Sequence, residues 1–141
     1  MTDEKKQKLA MVVKSDTYED MVLALSFAGI AVNSGIETAM FFTSRASRML
    51  KKGGFEELEN APLDAVGEQY RDRCTEMGFA NMADVLGQLK QKGGLRVYIC
   101  TRGMRAFDIR QEDLIPQCDG VMGTATFLLQ EVMTATSTVT F

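Results

Sequence analysis

Short segments rich in apolar and β-branched residues constrain the fold of this chain more than any other feature of its sequence. Segments 9–13, 36–43 and 95–100 are of this kind, and the first is apolar at every position. Such near-continuous apolar runs are typical of parallel strands that are buried on both faces of a sheet. They predict three parallel strands, and the weaker segments 118–122 and 136–141 predict two more.

Between these strands, apolar residues recur at three- and four-residue spacing, which predicts helices. Asp16 with Glu19 forms a capping box for the first helix, Gly35 is placed to end it, and Asn81 with Asp84 is expected to cap the helix before the third strand. A later helix, over 62–78, carries one apolar stripe that is expected to face the core. This stripe holds Val66, Tyr70, Cys74 and Met77.

The order of these elements, strand-helix-strand-helix-strand-strand-helix-strand, predicts an α/β protein. We expect a three-layer α/β/α, flavodoxin-like fold with a five-stranded parallel sheet, in a single domain over residues 1–141. If the strand order is 2-1-3-4-5, the topological switch point lies between the first and third strands. Lys14 and Ser15 would then lie across a crevice from Cys100.

Cys100 is the candidate reactive residue because it ends a predicted strand, and ligands of open α/β sheets bind outside the carboxyl ends of strands. A polar turn that contains glycine follows it. If this turn leads into a helix, its backbone N–H groups and the side chains of Arg102 and Arg105 favour the thiolate. The pKa of Cys100 is therefore expected to lie below that of an ordinary thiol. The alternative, that Cys100 is a small apolar residue of the core, stays open at this point.

Polar residues that follow the other predicted strands are expected at the same edge of the sheet as Cys100. Thr124 has a second expected role, as the N-cap of the last helix, over 125–133. The candidate substrate-binding residues are Lys14, Ser15, Thr43, Arg45, Thr101, Arg102, Gly103 and Thr124.

Residue types and motifs that the chain lacks narrow its chemistry. It has no histidine, which excludes Ser-His-Asp and Cys-His nucleophile activation and histidine-dependent metal sites. Its cysteines, Cys74, Cys100 and Cys118, form no C-x-x-C pair, which argues against a zinc site or a thioredoxin-type motif. There is no G-x-G-x-x-G or P-loop motif, so neither a metal nor a cofactor is expected. The odd number of cysteines indicates reduced thiols. A cytoplasmic location is expected because no signal peptide and no bilayer-spanning stretch is recognised.

Charge and apolar patterning argue against a nucleic-acid partner, a signal peptide and a membrane span. The net charge is -3 and no basic stripe is interleaved with aromatic residues, so no nucleic-acid partner is expected. Residues 1–8 are charged and do not form a signal peptide. The longest apolar stretch, 21–32, is interrupted by Ser26 and is too short to span a bilayer.

Four segments together resemble the DsrE/DsrF-like family of small sulfur-handling proteins: KLAMVVKSD, MFFTSRA, GGLRVYIC and DLIPQCDGVMGTATFL. The resemblance spans residues 8 to about 141. It implies a flavodoxin-type three-layer domain that forms homo-oligomers. Some members carry sulfur as a persulfide on a cysteine in the position of Cys100. By this resemblance Cys100 would accept and donate sulfane sulfur, with donor and acceptor proteins or small thiols as partners.

Three functions therefore remain open. The first is a sulfur carrier or sulfurtransferase that uses Cys100, since thiol–persulfide exchange, like thiol–disulfide exchange, needs an accessible thiolate but no separate base. The second is a non-catalytic module of the same fold that binds a small anion or a nucleotide. The third is a subunit of an oligomeric assembly, with an apolar surface that includes segment 138–141. Whether the chain is an enzyme depends on which of these holds.

Overall fold

A five-stranded sheet, parallel throughout, lies at the centre of the computed structural model, which describes residues 6–141. Helices cover both faces of the sheet, so the predicted three-layer α/β/α fold is confirmed. Each predicted strand is present, with ends that differ by at most two residues from the sequence prediction. The strands are β1 (Lys8–Val13), β2 (Glu37–Phe42), β3 (Leu95–Cys100), β4 (Gly120–Met122) and β5 (Ser137–Thr140).

Helical segments connect the strands. The 3₁₀ helices Ser44–Leu50 and Gln111–Asp113 lie in the connections after β2 and β3. The π-helical turns Thr75–Phe79 and Leu128–Val132 continue two of the α-helices. The α-helices are α1 (Tyr18–Asn33), α2 (Gly54–Glu59), α3 (Ala65–Cys74), α4 (Met82–Gln91), α5 (Thr101–Ala106) and α6 (Thr124–Phe127).

The strand order is β4-β3-β2-β1-β5, so the order assumed from the sequence, 2-1-3-4-5, is wrong. In the structure β2 lies between β1 and β3, and β5 pairs with the other edge of β1. The preference for right-handed crossovers fixes the hand of each connection, but it does not fix which strand a connection reaches. For this reason the apolar pattern of the strands could not reveal their order.

The topological switch point lies between β3 and β4 rather than between β1 and β3. The connections from β1 through β4 all move in one direction across the sheet, and the connection from β4 to β5 returns in the other. As a result, α5 contributes Met104 to the core on one face, whereas α6 contributes Phe127 to the core on the opposite face. Because the loops after β3 and β4 leave toward opposite faces, a crevice forms beside the carboxyl end of β3. Cys100 is the last residue of that strand.

The two faces of the sheet bury cores of very different size. Helices α1 and α4 cover the larger core, whose strand residues include Met11, Met40 and Val97. The smaller core lies under α6 and its π-helical turn, where the rings of Phe41 and Phe127 stack with centroids 4.6 Å apart. Burial of a large apolar side chain contributes about 1.5–3 kcal/mol to stability. The buried members of the smaller core are Ala10, Ala39, Phe41, Cys100 and Phe127.

The helix ends are partly as predicted. Gly35 follows α1 with a φ of +74°, as expected of a residue that ends a helix, and Asn81 caps α4 through the N–H of Asp84. The N-cap of α1 is Thr17 rather than Asp16, and the Asp16 carboxylate instead pairs with Arg48 at 2.5 Å.

The N-cap of α6 is also one residue away from its predicted position. Gly123 occupies it, and Thr124 is the first residue of the helix, so the N-cap prediction for Thr124 is wrong. No side chain caps this helix. The hydroxyl of Thr124 is therefore not used by the helix backbone, and it takes part in other contacts described below.

The apolar stripe predicted for α3 is only partly buried. Cys74 lies in the larger core, as predicted, but Val66 and Met77 are 71% and 69% exposed. The helix bears mostly polar and charged residues and contacts the core at its carboxyl end. Gly78 then breaks the helix with a φ of +108°. Spacing alone placed Val66, Tyr70 and Met77 on the inner side, and that prediction is wrong, since Tyr70 is exposed as well.

Candidate functional site

Cys100 stands at the junction of β3 and α5. It ends the strand and occupies the N-cap position of the helix, with an extended backbone conformation. The residue is 1% exposed and packs in the smaller core with Phe41 and Phe127. The sulfur therefore lies just inside the carboxyl edge of the sheet rather than on its surface.

The pKa of the Cys100 thiol is lowered even though the residue is buried. Burial is the largest single influence, and by itself it raises the pKa. Hydrogen bonds from the Thr43 hydroxyl and from the backbone N–H groups of Gly103 and Arg102 act in the opposite direction. The Thr124 hydroxyl, whose Oγ1 atom lies 3.9 Å from Sγ, also lowers the pKa. Together these donors stabilise the thiolate by more than burial disfavours it.

Gly103 is required where α5 approaches the 3₁₀ helix Ser44–Leu50. A Cβ atom built on Gly103 would lie 1.8 Å from Ser47 Oγ and 2.6 Å from Ser47 Cβ. The absence of a side chain allows the first turn of α5 to sit against the buried Ser47. With α5 packed in this way, the backbone N–H of Gly103 donates a hydrogen bond to the sulfur of Cys100.

A cleft of about 290 Å³ opens beside Cys100, and we call it the Cys100 cleft. Thr43 and Thr124 line it, and the hydroxyls of both lower the pKa of Cys100, whose sulfur lies 3.9 Å from Thr124 Oγ1. Arg102 donates a hydrogen bond from Nη2 to Thr124 Oγ1 at 3.1 Å. The apolar lining residues are Val12, Phe41, Phe127, Leu128 and Val132. The polar ones are Lys14, Thr43, Ser44, Arg102 and Thr124.

A family model described as the DsrE/DsrF-like family matches residues 7–141, nearly the whole chain. The chain belongs to this family. Its membership supports a sulfur-related role. No curated protein matches the sequence.

The DsrE/DsrF-like chain is similar in structure to a protein of unknown function from Methanobacterium thermoautotrophicum, with a TM-score of 0.61. The alignment covers 94% of this chain and 98% of the other, at 12% sequence identity. At that identity the likeness shows the shared fold.

Four of the substrate-binding residues predicted from the sequence come together in the Cys100 cleft. They are Lys14, Thr43, Arg102 and Thr124. Gly103, a fifth predicted residue, reaches the sulfur through its backbone. These residues come together because the carboxyl ends of parallel strands lie at one edge of the sheet, as the sequence prediction assumed.

The remaining predicted residues do not line the cleft. The Ser15 hydroxyl lies 3.2 Å from the hydroxyl of Thr17 at the start of α1. Arg45 faces Asp16, with Nε 3.6 Å from the carboxylate. Thr101 is exposed on α5 and makes none of the hydrogen bonds that lower the pKa of Cys100.

The predicted influence of arginine charge on the thiol is also corrected. Arg102 acts on the sulfur through its backbone N–H, and its guanidinium bonds to Thr124 instead. Arg105 is exposed in the last turn of α5. The lowered pKa of Cys100 therefore has the predicted direction, and the predicted backbone N–H groups are among its causes, but hydroxyl groups act in place of the predicted arginine charges.

The sequence analysis missed the apolar wall of the cleft, formed by Phe41, Phe127 and their neighbours. The sequence did carry a signal for this wall, because side chains alternate between the two faces along a strand. Phe41 lies two positions from Ala39 and so shares its face of the sheet, and Cys100 in the same way shares the face of Tyr98. The position of Phe127 on the same face depends on the return of the chain to β5, which the assumed strand order did not contain.

The other two cysteines have different surroundings. Cys74 is buried in the larger core. Cys118 is half-buried, its thiol donates to the Gly120 carbonyl at 3.5 Å, and burial raises its pKa. All three cysteines are free thiols.

Residues 6–141 contain neither a grouped set of metal ligands nor a membrane-spanning helix. No three histidine, cysteine, aspartate or glutamate side chains within this range are grouped so that they could hold a metal ion. None of the helices in the same range is long and apolar enough to cross a membrane.

Proposed function

We propose that this chain is a sulfur-relay protein, which carries sulfane sulfur as a persulfide on Cys100 and passes it to a partner thiol. Family membership supports a sulfur-related role. The observation that carries the proposal is the hydrogen-bonded Cys100 thiol, whose pKa is lowered at the edge of a cleft. A thiolate, rather than a thiol, is the nucleophile in sulfur exchange.

The loading step is a simple exchange between sulfur atoms. The Cys100 thiolate attacks the outer sulfur of a donor persulfide, R–S–SH, and a new S–S bond forms on Cys100. The S–S bond of the donor breaks, its electron pair leaves with R–S⁻, and the proton stays on the transferred sulfur. No other oxidant, reductant or base takes part, in agreement with a chain that has no histidine.

The discharge step uses the same hydrogen bonds. An acceptor thiolate attacks the outer sulfur, and Cys100 leaves as a thiolate. A thiol of low pKa is the better leaving group. The hydroxyl groups of Thr43 and Thr124 and the N–H groups of Arg102 and Gly103 therefore favour both loading and release.

Access to Cys100 is through the Cys100 cleft. The residue is 1% exposed, and Thr43 and Thr124, whose hydroxyls lower the pKa of its thiol, line the cleft. A donor that reaches Cys100 therefore approaches it beside these two side chains. Burial also shields a bound persulfide from thiols that do not fit the cleft.

The proposal includes three features expected from the sequence and the family resemblance. The chain acts as a single domain, it forms a homo-oligomer, and it works in the cytoplasm. The free cysteines agree with a reducing compartment. Exposed apolar side chains on α1 and on the π-helical turn after α6 are available for contacts between copies.

A second candidate is a module that binds a small anion without sulfur transfer. The positions of Lys14 and Arg102 on the Cys100 cleft favour it. In this case Cys100 would be a buried residue of the smaller core, and its thiol chemistry would have no function.

Mapping of the sulfur after treatment with a sulfane-sulfur donor separates the two candidates. The wild type and the variants Cys100→Ser and Cys118→Ser are incubated with the donor, and their peptides are analysed by mass spectrometry. We expect the mass of one sulfur atom on the Cys100 peptide in the wild type and in Cys118→Ser. Wild-type protein without added sulfur on Cys100 would contradict the proposal and favour the binding module.

A further inference from the structure

We infer that the Cys100 cleft takes a low-molecular-weight persulfide whose carbon skeleton is short and apolar and ends in a carboxylate. This inference rests on the proposed function and names the class of donor that it uses. It follows from the volume of the cleft, from the charges at its polar side and from the apolar residues that form the rest of its lining.

The volume of the cleft suits a small donor. Clefts that bind drug-sized ligands have volumes of roughly 300–1,000 Å³. The Cys100 cleft, at about 290 Å³, lies just below this range. Its volume therefore matches a ligand the size of an amino acid.

The charges on the cleft favour an anion. Lys14 and Arg102 both line it, and none of its described lining residues is an aspartate or glutamate. Neither cation forms a salt bridge with an acidic residue in the part of the chain that the structure describes. The backbone of Lys14 is anchored by its N–H bond to the Phe141 carbonyl at 2.8 Å. Unpaired cations beside low-dielectric walls raise the local concentration of an anion.

The rest of the lining determines the body of the donor. Phe41, Phe127 and Val132 offer only apolar contacts, so methylene groups or a ring can pack there. An ammonium group in place of the carboxylate would be repelled by Lys14 and Arg102. The cleft therefore selects a carboxylate against an amine on a carbon skeleton of equal length.

The sulfur of such a donor has a defined partner. Thr43 and Thr124 belong to both the cleft lining and the hydrogen bonds of Cys100, and they connect the cleft to the thiolate. Attack of Cys100 on the outer sulfur breaks the donor S–S bond. The donor then leaves as a thiolate that still bears its carboxylate, while the persulfide remains on Cys100.

Three donors that share a two-methylene spacer between sulfur and end group test this selectivity. They are the persulfides of 3-mercaptopropionate, 2-mercaptoethanol and cysteamine, whose free ends are anionic, neutral and cationic. The rate at which sulfur is added to Cys100 is measured by mass spectrometry, and each rate is divided by the rate of the same donor with a free peptide thiol. We expect the carboxylate to exceed the amine by on the order of tenfold, the lower end of the range for electrostatic focusing.

Variants of the cleft locate the origin of this preference. Lys14→Gln and Arg102→Gln should each reduce the ratio between the anionic and cationic donors. Lys92→Gln is the matched control, because this exposed lysine precedes β3 at the opposite edge of the sheet and bonds to Asn33. The control should keep the ratio of the wild type.

Failure of this inference is distinct from failure of the proposed function. Equal normalised rates for the three donors, with sulfur on Cys100 in each case, would overturn the inference and leave the sulfur-relay proposal standing. A ratio that is the same in wild type, Lys14→Gln and Arg102→Gln would likewise overturn it. Absence of sulfur on Cys100 with every donor would contradict both.

Discussion

Hydrogen bonds, rather than the charges of neighbouring arginines, account for the lowered pKa of Cys100. Burial alone would raise this pKa, but hydroxyl and backbone N–H donors reach the sulfur and favour its charged form. The donors come from residues that follow β2, β3 and β4, three strands that are neighbours in the sheet. The property of this one residue therefore depends on the parallel arrangement of the strands around it.

Removal of one donor should weaken the thiolate. We expect Thr43→Val to raise the pKa of Cys100 and to slow its alkylation at neutral pH, because valine keeps the shape of threonine without the hydroxyl. The rate of alkylation of the Cys100 peptide, measured against pH, gives the pKa. Arg105→Ala is the control and should leave it unchanged. An unchanged profile in Thr43→Val, or an equal change in both variants, would count against the hydrogen-bond account.

The contact between Gly103 and Ser47 gives a second prediction at this scale. Gly103→Ala should reduce the free energy of unfolding by about 1–3 kcal/mol, the usual cost of forcing an extra methyl into a packed core. The new Cβ would overlap Ser47 Oγ, at 1.8 Å. Chemical denaturation measures the change.

Gly87→Ala is the matched control for Gly103→Ala. A Cβ on Gly87, in the middle of α4, meets no atom closer than 3.5 Å. It should be neutral or should stabilise the protein, since alanine favours a helix by up to about 1 kcal/mol over glycine. Equal stability of Gly103→Ala and the wild type would show that the close approach is not needed.

At the scale of elements, α2 supports the start of α4. Glu59, the last residue of α2, accepts the backbone N–H of Met82 at Oε2, 2.6 Å away. Met82 is the first residue of α4, whose N–H groups lack partners within the helix. Burial raises the pKa of Glu59, despite this hydrogen bond, which acts in the opposite direction.

This arrangement predicts a stability that falls with pH. Because the pKa of Glu59 is higher in the folded state, the folded chain binds more protons than the unfolded chain between the ordinary and the raised pKa. The free energy of unfolding of the wild type, relative to Glu59→Gln, should therefore decrease as the pH rises through this interval. Denaturation of both proteins at a series of pH values measures the difference.

The exposed Glu57 on the same helix provides the control for this pH dependence. Glu57→Gln removes one carboxylate from the same helix, so a comparison of the two variants separates the contribution of Glu59 from that of a lost charge. A difference between wild type and Glu59→Gln that stays constant or grows with pH would contradict a raised pKa of Glu59.

The elements that were predicted well are those determined by local sequence. The β3 strand and the cap of α4 at Asn81 follow from a few neighbouring residues, and both have the predicted positions. The α3 stripe failed because burial depends on what a helix packs against, and Val66 and Met77 are largely exposed. The strand order failed for the same reason, since it depends on pairing between distant segments.

The candidate site likewise combines residues that local sequence predicts with residues whose placement depends on distant segments. Lys14 and Thr43 were found because they follow strands, and the carboxyl ends of parallel strands share one edge. Arg45 follows β2 as well, but it faces Asp16, which no pattern in the sequence indicated. The stack of Phe41 on Phe127 required the fold of the whole chain.

At the scale of the whole molecule, several large apolar side chains remain exposed. Phe141, which was expected to need cover, is half-buried and lies edge-to-face on Phe27 with centroids 5.1 Å apart. Because Phe27 covers part of its ring, Phe141 gives less reason to expect an oligomer than segment 138–141 did in the sequence. Other apolar side chains are candidates for contacts between copies, namely Leu23, Ile30, Leu128, Leu129 and Met133.

We expect the protein to sediment as an oligomer at micromolar concentration. Leu129 and Met133 lie four residues apart around the π-helical turn and are 65% and 69% exposed, so they offer an apolar surface that association would cover. The double variant Leu129→Glu, Met133→Glu should sediment as a monomer. A monomer mass for the wild type, by sedimentation equilibrium, would contradict this expectation.

The central claim, that Cys100 carries sulfur from a donor to an acceptor, is tested most directly by following labelled sulfur through the protein. The chain is loaded with a persulfide whose outer sulfur is a heavy isotope, freed of donor, and mixed with an acceptor thiol. We expect the label to appear on Cys100, to leave it when the acceptor is added and to be recovered as acceptor persulfide. Cys100→Ser should acquire no label. Label that reaches the acceptor equally well with Cys100→Ser, or that never appears on Cys100, would contradict the account.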